Sequence, residues 1–120
     1  MTDLKINENF ILMNQKEIYE FISGNKGFIE LINLSFIKIK RYFPESKIYL
    51  EFREDPEYEG LNAIWGYVFP STETYDENYE IFYELTDEIY ELRDKFDKAD
   101  YFLSLGSNDE YFRNRLNNVD

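Results

Sequence analysis

The chain has 120 residues with 25 Asp/Glu against 13 Lys/Arg, a net charge of −12, and 43% hydrophobic and 19% aromatic residues. That length supports one domain, residues 1–120, and the apolar content argues against disorder despite the charge. Cysteine and histidine are both missing, which removes disulfides, thiolate chemistry, zinc–sulfur sites and the commonest general base.

Residues 1–9 read as a polar lead-in, expected to be mobile. Asn14 and Glu17 have the spacing of a capping box, with Met13 and Ile18 placed as a hydrophobic staple. A first helix is expected from about Gln15 to Ser23, burying Ile18, Phe21 and Ile22 and stopped by Gly24. A second is expected from Gly27 to Tyr42. Phe28, Ile29, Leu31, Ile32, Phe36, Ile39 and Phe43 share one side of it. Lys38, Lys40 and Arg41 complement the dipole at its end, where Pro44 stops it. Phe36 to Lys40 also alternates, so the last turns of this helix read equally as strand.

Lys47 to Arg53 alternates strictly, with Ile48, Leu50 and Phe52 on one face, as a half-buried strand does. Glu54 to Gly60, with Asp55-Pro56, is expected as a loop. Leu61 to Phe69 returns as a second strand, closed by Pro70. A capping box of Thr74 and Glu77 opens a long helix running to about Lys98, whose core stripe is Phe82, Leu85, Ile89, Leu92 and Phe96. Tyr101 to Leu105 reads as a short third strand. Gly106-Ser107-Asn108 reads as a turn, and residues 110–120 as a polar, mobile tail. The expected fold is α+β in the order ααββαβ, with N-terminal helices, a small antiparallel sheet and one long amphipathic acidic helix.

Charge is unevenly spread. Residues 1–50 hold seven Lys/Arg and six Asp/Glu, whereas residues 51–120 hold six and nineteen. On the long helix Glu77, Glu80, Glu84, Asp87, Glu88, Glu91 and Asp94 fall within an arc of roughly 120° at about 100° per residue. Like charges at i,i+4 cost a helix a few tenths of a kcal/mol each. Such a ridge is either a solvated face or a surface for a basic partner. Carboxylates one turn apart lie about 5.4 Å from each other, not far from the phosphate spacing along a strand. Beside the ridge run Tyr75, Tyr79, Tyr83 and Tyr90, either edge-of-core residues or interface anchors.

The second strand is apolar on both faces. Trp65, Tyr67 and Phe69 are expected to pack under the first helix; the other possibility is an exposed aromatic patch serving a homodimer or partner interface. Glu51, Glu54, Asp55, Glu57 and Glu59 concentrate carboxylates in and near one loop, which leaves a carboxylate-based metal enzyme as a remote alternative; EF-hand spacing is missing and Asp-Pro is ordinary turn chemistry, so no metal site is assigned. No nucleophile motif or phosphate loop is present, and neither catalytic residues nor a cofactor are expected. A field of this sign repels nucleic-acid phosphates and anionic lipid, so direct nucleic-acid or membrane binding is not expected either. No run approaches the roughly 18 apolar residues that span a bilayer. Met1–Glu8 has no signal-peptide core, which points to the cytoplasm.

The segment Tyr42-Phe43-Pro44-Glu45-Ser46-Lys47-Ile48-Tyr49-Leu50-Glu51-Phe52-Arg53-Glu54-Asp55-Pro56-Glu57 resembles one in small acidic prokaryotic proteins of unassigned activity. In those a "YFP…LE…DPE" run leads into a strand, an acidic helix and a short last strand. The resemblance spans roughly residues 40–105 and implies an order of elements, with no functional residue to carry over. The tyrosine-rich helix and polar tail depart from it. By composition alone the chain is similar to antitoxins and phage-encoded nuclease inhibitors. The expected partner is therefore a basic protein, such as a nuclease or another nucleic-acid-binding protein.

Overall fold

Two runs of alternating side chains form the centre of the molecule, because period-two alternation lets a strand bury one face. In the computed structural model of the chain, which describes residues 6–54, 62–70, 75–98 and 100–106, these are β2 (Lys47–Glu54) and β3 (Asn62–Phe69). They pair antiparallel, with Leu50 opposite Gly66 and Glu51 opposite Trp65. The other elements are α1 (Ile6–Asn9), β1 (Ile11–Leu12), α2 (Gln15–Ser23), α3 (Phe28–Tyr42), α4 (Tyr75–Lys95) and β4 (Tyr101–Leu105).

The sheet order is β1-β2-β3-β4. It is mixed, which corrects the expected antiparallel sheet. β1 runs parallel to β2, and β4 runs parallel to β3. A helix between two neighbouring strands carries the chain back to the end where the first strand began, so the second strand pairs parallel. α4 makes that crossover between β3 and β4, and α2 with α3 makes it between β1 and β2.

One face of the sheet carries Ile48, Leu50, Ile64, Val68, Tyr101 and Leu103. These join Ile18, Ile22, Phe28, Leu31, Ile32, Ile39, Leu85 and Ile89 from the helices in a single core. Gly66 belongs to this face, where a Cβ would stand 2.8 Å from the Leu103 side chain. The end of α3 is helical through Tyr42, which resolves the ambiguity over Phe36 to Lys40.

The lead-in is not a loose polar segment throughout. Ile6 is fully buried and Phe10 nearly so, four residues apart and so on one side of the α1 turn. Nor does Asn14 cap α2 with its side chain. Its amide instead donates to the Phe52 carbonyl (2.7 Å) and accepts from the Phe52 N–H (2.9 Å). Met13 N–H donates to Leu50 just before it, so the Asn14 side chain prolongs the β1–β2 ladder by one step.

α4 is 21 residues long and stops at Lys95, short of the expected Lys98. Asp97 adopts a left-handed φ of 55°. Lys98 N–H then reaches the Arg93 carbonyl, and Asp97 N–H the Asp94 carbonyl. That is the Schellman arrangement, which satisfies the last free carbonyls of a helix. Residues 55–60 of the expected loop, Leu61 at the expected start of the second strand, Thr74 of the capping box, and the expected turn and tail from Ser107 onward lie outside the described residues.

Candidate partner-binding surface

α4 is held on both flanks, and the two contacts divide its polar residues. Toward α3, Glu88 accepts from the Lys38 ammonium at 3.1 Å and from the Tyr42 hydroxyl. Toward the sheet edge, Arg93 donates to the Tyr101 carbonyl at 3.0 Å, and the Tyr90 hydroxyl accepts the Leu103 N–H at 3.4 Å. Arg93 also lies over the Tyr90 ring, 4.4 Å from its centroid. β4 is an outer strand, and these side chains occupy part of the backbone row such a strand presents.

The sequence-defined ridge therefore separates into two kinds of position. Glu80, Glu84, Asp87, Glu91 and Asp94 are exposed. Glu88 is half-buried and bonded within the fold. Glu77 and Tyr75 belong to the first turn of α4, and their side chains lie outside the described residues.

The tyrosine band divides as well. Tyr79 and Tyr83 are 39% and 57% exposed. Their rings meet edge-on at 4.6 Å and 88°, and their hydroxyls are 2.8 Å apart. Tyr90 packs against the core and serves β4 instead. An edge-on aromatic pair is a geometry that holds both rings in place.

Trp65, Tyr67 and Phe69 do not pack under the first helix, which corrects that expectation. Pairing puts Ile64, Gly66 and Val68 on the helix-facing side of β3, and a period of two sends Trp65, Tyr67 and Phe69 to the other. There they pack largely on their own face. Trp65 stacks on Phe102 at 5.0 Å, and Tyr49 meets Phe69 edge-on at 5.1 Å. Arg53 lies over Trp65. Tyr67 is only 7% exposed and donates to the Glu51 carboxylate at 2.7 Å. Burial, and then the bonded Glu51, push the Tyr67 hydroxyl up to about 12.

Among the described residues four aliphatic side chains outside the predicted surface are exposed: Ile11 at 45%, Leu34 at 40%, Ile37 at 55% and Ile81 at 37%. A helical projection of α3 contains the signal. Leu34, Ile37, Lys38 and Arg41 follow i, i+3, i+4, i+7 spacing on a side away from Phe28, Leu31, Ile32 and Ile39.

Among the described residues no helix is long and apolar enough to cross a membrane, and no cluster of three or more acidic side chains is arranged to hold a metal ion. No protein-family model, curated protein or solved structure matches the chain.

Proposed function

We propose that the chain is a non-catalytic protein-binding module of the inhibitor or antitoxin-like kind, which uses α4 to occupy a basic, nucleic-acid-handling surface of a partner protein. The observation that carries this is the exposed Tyr79–Tyr83 pair beside Glu80, Glu84, Asp87 and Glu91, all on one helix fixed on both flanks. Fixed carboxylates raise the rate of encounter with a basic surface. Tyrosines whose positions are already set lose little freedom when buried, which suits them to hold the complex. A dimer through Trp65, Tyr67 and Phe69 has less in its favour, because Tyr67 is already 7% exposed within a self-packed layer.

The test is affinity capture on the immobilised chain at low and high salt, comparing the wild type with a Glu80→Lys, Glu84→Lys, Glu91→Lys variant. Basic proteins should be retained at low salt, released at high salt or by duplex DNA, and lost with the triple variant. Identical capture by both chains would refute the electrostatic role.

A further inference from the structure

The sheet has a second face, and its centre is as buried as the core. Tyr49, Glu51, Trp65, Tyr67, Phe69 and Phe102 point away from the helices, which pack against the Ile48, Leu50 and Val68 side. At the β4 edge Arg93 of α4 reaches round to the Phe102 ring, 5.6 Å from its centroid. A sheet face turned to water carries mostly polar side chains, whereas this one is aromatic. Tyr67 is 7% exposed, and the Glu51 side chain 10%. Side chains stand roughly perpendicular to a sheet. Neighbours on the same face therefore shield their flanks, while their outer ends are shielded only from above.

We infer that residues 107–120 dock back across this face as a short amphipathic helix, with Phe112 and Leu116 over the Tyr49, Tyr67 and Phe69 rings and Arg115 at the Glu51 carboxylate. The surface is separate from the α4 ridge, and the inference does not rest on the module proposed above. Where the described chain stops selects the segment. Gly106 N–H donates to the Val68 carbonyl at 2.7 Å, and a Cβ on Gly106 would stand 2.6 Å from the Phe69 ring. The ring thus lies over the glycine, and the chain leaves β4 against this face. Residues 107–120 follow. A helix of that length spans about 21 Å, and the three strand spacings from β4 to β1 total about 14 Å, so it can cross the whole face. Residues 55–61 carry Asp55, Glu57 and Glu59, the wrong charge to set beside Glu51. Residues 71–74 are needed to take the chain from β3 to α4 on the helical side.

The segment is polar on one side only. At about 100° per residue Tyr111, Phe112, Leu116 and Val119 fall within an arc of roughly 140°, with Arg113, Asn114, Asn117 and Asp120 outside it. Ser107 and Glu110 have the spacing of a capping box ahead of that arc. Arg115 falls inside it, between Tyr111 and Val119. An arginine on a packing face calls for a buried anion, and Glu51 is the buried carboxylate of this face. The Tyr67 hydroxyl donates to it at 2.7 Å, and Arg53 Nε stands 3.9 Å away. A carboxylate offers about four acceptor positions, so a docked guanidinium adds a charge-assisted bond to that pair.

The full chain carries its own probe, since its single tryptophan is Trp65 of this face. In a Phe112→Ser, Leu116→Ser variant, acrylamide should quench Trp65 about three-fold or more faster than in the wild type, while thermal unfolding stays cooperative. Trypsin cleavage after Arg113, followed by mass spectrometry, should be at least about ten-fold slower in the wild type than in that variant, because cutting a docked segment waits for local opening. Glu51→Gln and Arg115→Gln should each speed that cleavage about three-fold or more, and the two together no further than either alone.

Equal cleavage after Arg113 in the wild type and the Phe112, Leu116 variant overturns the inference, and so does equal quenching of Trp65. Protection that appears only with a dimer, and fades as the chain is diluted, overturns it as well, because the segment would then lie on a second copy. If the Glu51 and Arg115 changes multiply instead of saturating, the two residues act separately and their pairing falls.

Discussion

Tyr101→Phe should stabilise the protein, and the structure supplies both the sign and the size. Tyr101 is fully buried, edge-on to Phe28 at 5.8 Å. Its hydroxyl makes no hydrogen bond, and the neighbouring Ser35 hydroxyl donates to the Leu31 carbonyl at 2.7 Å. A buried polar group without a partner costs about 1–3 kcal/mol. Phenylalanine keeps the ring and removes one oxygen, leaving a void too small to cost more than about 1 kcal/mol. The net expectation is a gain of about 1 kcal/mol at neutral pH, or about 3–5 °C in melting temperature for a chain of this size.

An alkaline signature accompanies that gain. Burial pushes the Tyr101 hydroxyl up to about 12 from 10, with Ser35 acting the other way and Tyr90 adding to the rise. Below pH 10 folded and unfolded chains both hold the proton, and the full stability is present. Between pH 10 and 12 the unfolded chain releases it while the folded chain does not, so stability falls. Two pH units at about 1.4 kcal/mol each give a loss of about 3 kcal/mol. Tyr67, also raised to about 12, adds a limb of the same sign that the variant retains. Urea unfolding followed by circular dichroism, at neutral pH and at steps through pH 10–12, should show the variant more stable throughout and less steep in base. A variant less stable than wild type at neutral pH would mean that the hydroxyl is bonded, and an unchanged alkaline limb would mean that it is not held protonated by the fold; either would refute the reasoning.

Two further changes test the chain's local devices. Asn14→Ala removes both side-chain bonds to Phe52 and should cost about 1–3 kcal/mol in urea unfolding, with amide exchange at Phe52 accelerated more than at Leu50; an effect below 0.5 kcal/mol, on the order of a surface change, would show that the amide ladder is dispensable. Asp97→Gly relieves a left-handed backbone at the end of α4 and should raise stability by roughly 0.5–1 kcal/mol, whereas a β-branched residue there should lower it.

Much of the fold was legible because its signals are local. Alternation marks β2 and β3, and the 3.6-residue period marks α2, α3 and α4. β1 has two residues, too few for any alternation to register. Its parallel pairing is visible only once Ile6 and Phe10 are known to be anchored in the core. Asn14 misled for a related reason: the residue type that caps a helix locally is equally able to bond a distant strand. The direction of β4 was available, since a 21-residue helix separates it from β3, and short hairpin logic does not apply across such a gap. On the surface, the arc of carboxylates on α4 followed from the helical angle alone. Glu88 and Tyr90 did not, because their partners lie 46–50 and 13 residues away in the chain.

These internal bonds decide where the function of α4 can be tested. Replacing Glu88 by lysine would set two ammonium groups against each other at Lys38 and leave the Tyr42 hydroxyl without its acceptor, so α4 would be pushed off α3. Removing Tyr90 would strip the partner of Leu103 N–H and the ring beneath Arg93. Binding lost in either variant would report on the seating of the helix rather than on its charge. Glu80, Glu84, Asp87 and Glu91 are exposed, and their like-charge spacing at i,i+4 and i,i+3 opposes helix formation slightly. Neutralising them should leave stability unchanged or raise it by a few tenths of a kcal/mol. A weaker complex from a chain at least as stable is the combination that folding defects cannot produce, and those four carboxylates are the positions where it can be sought.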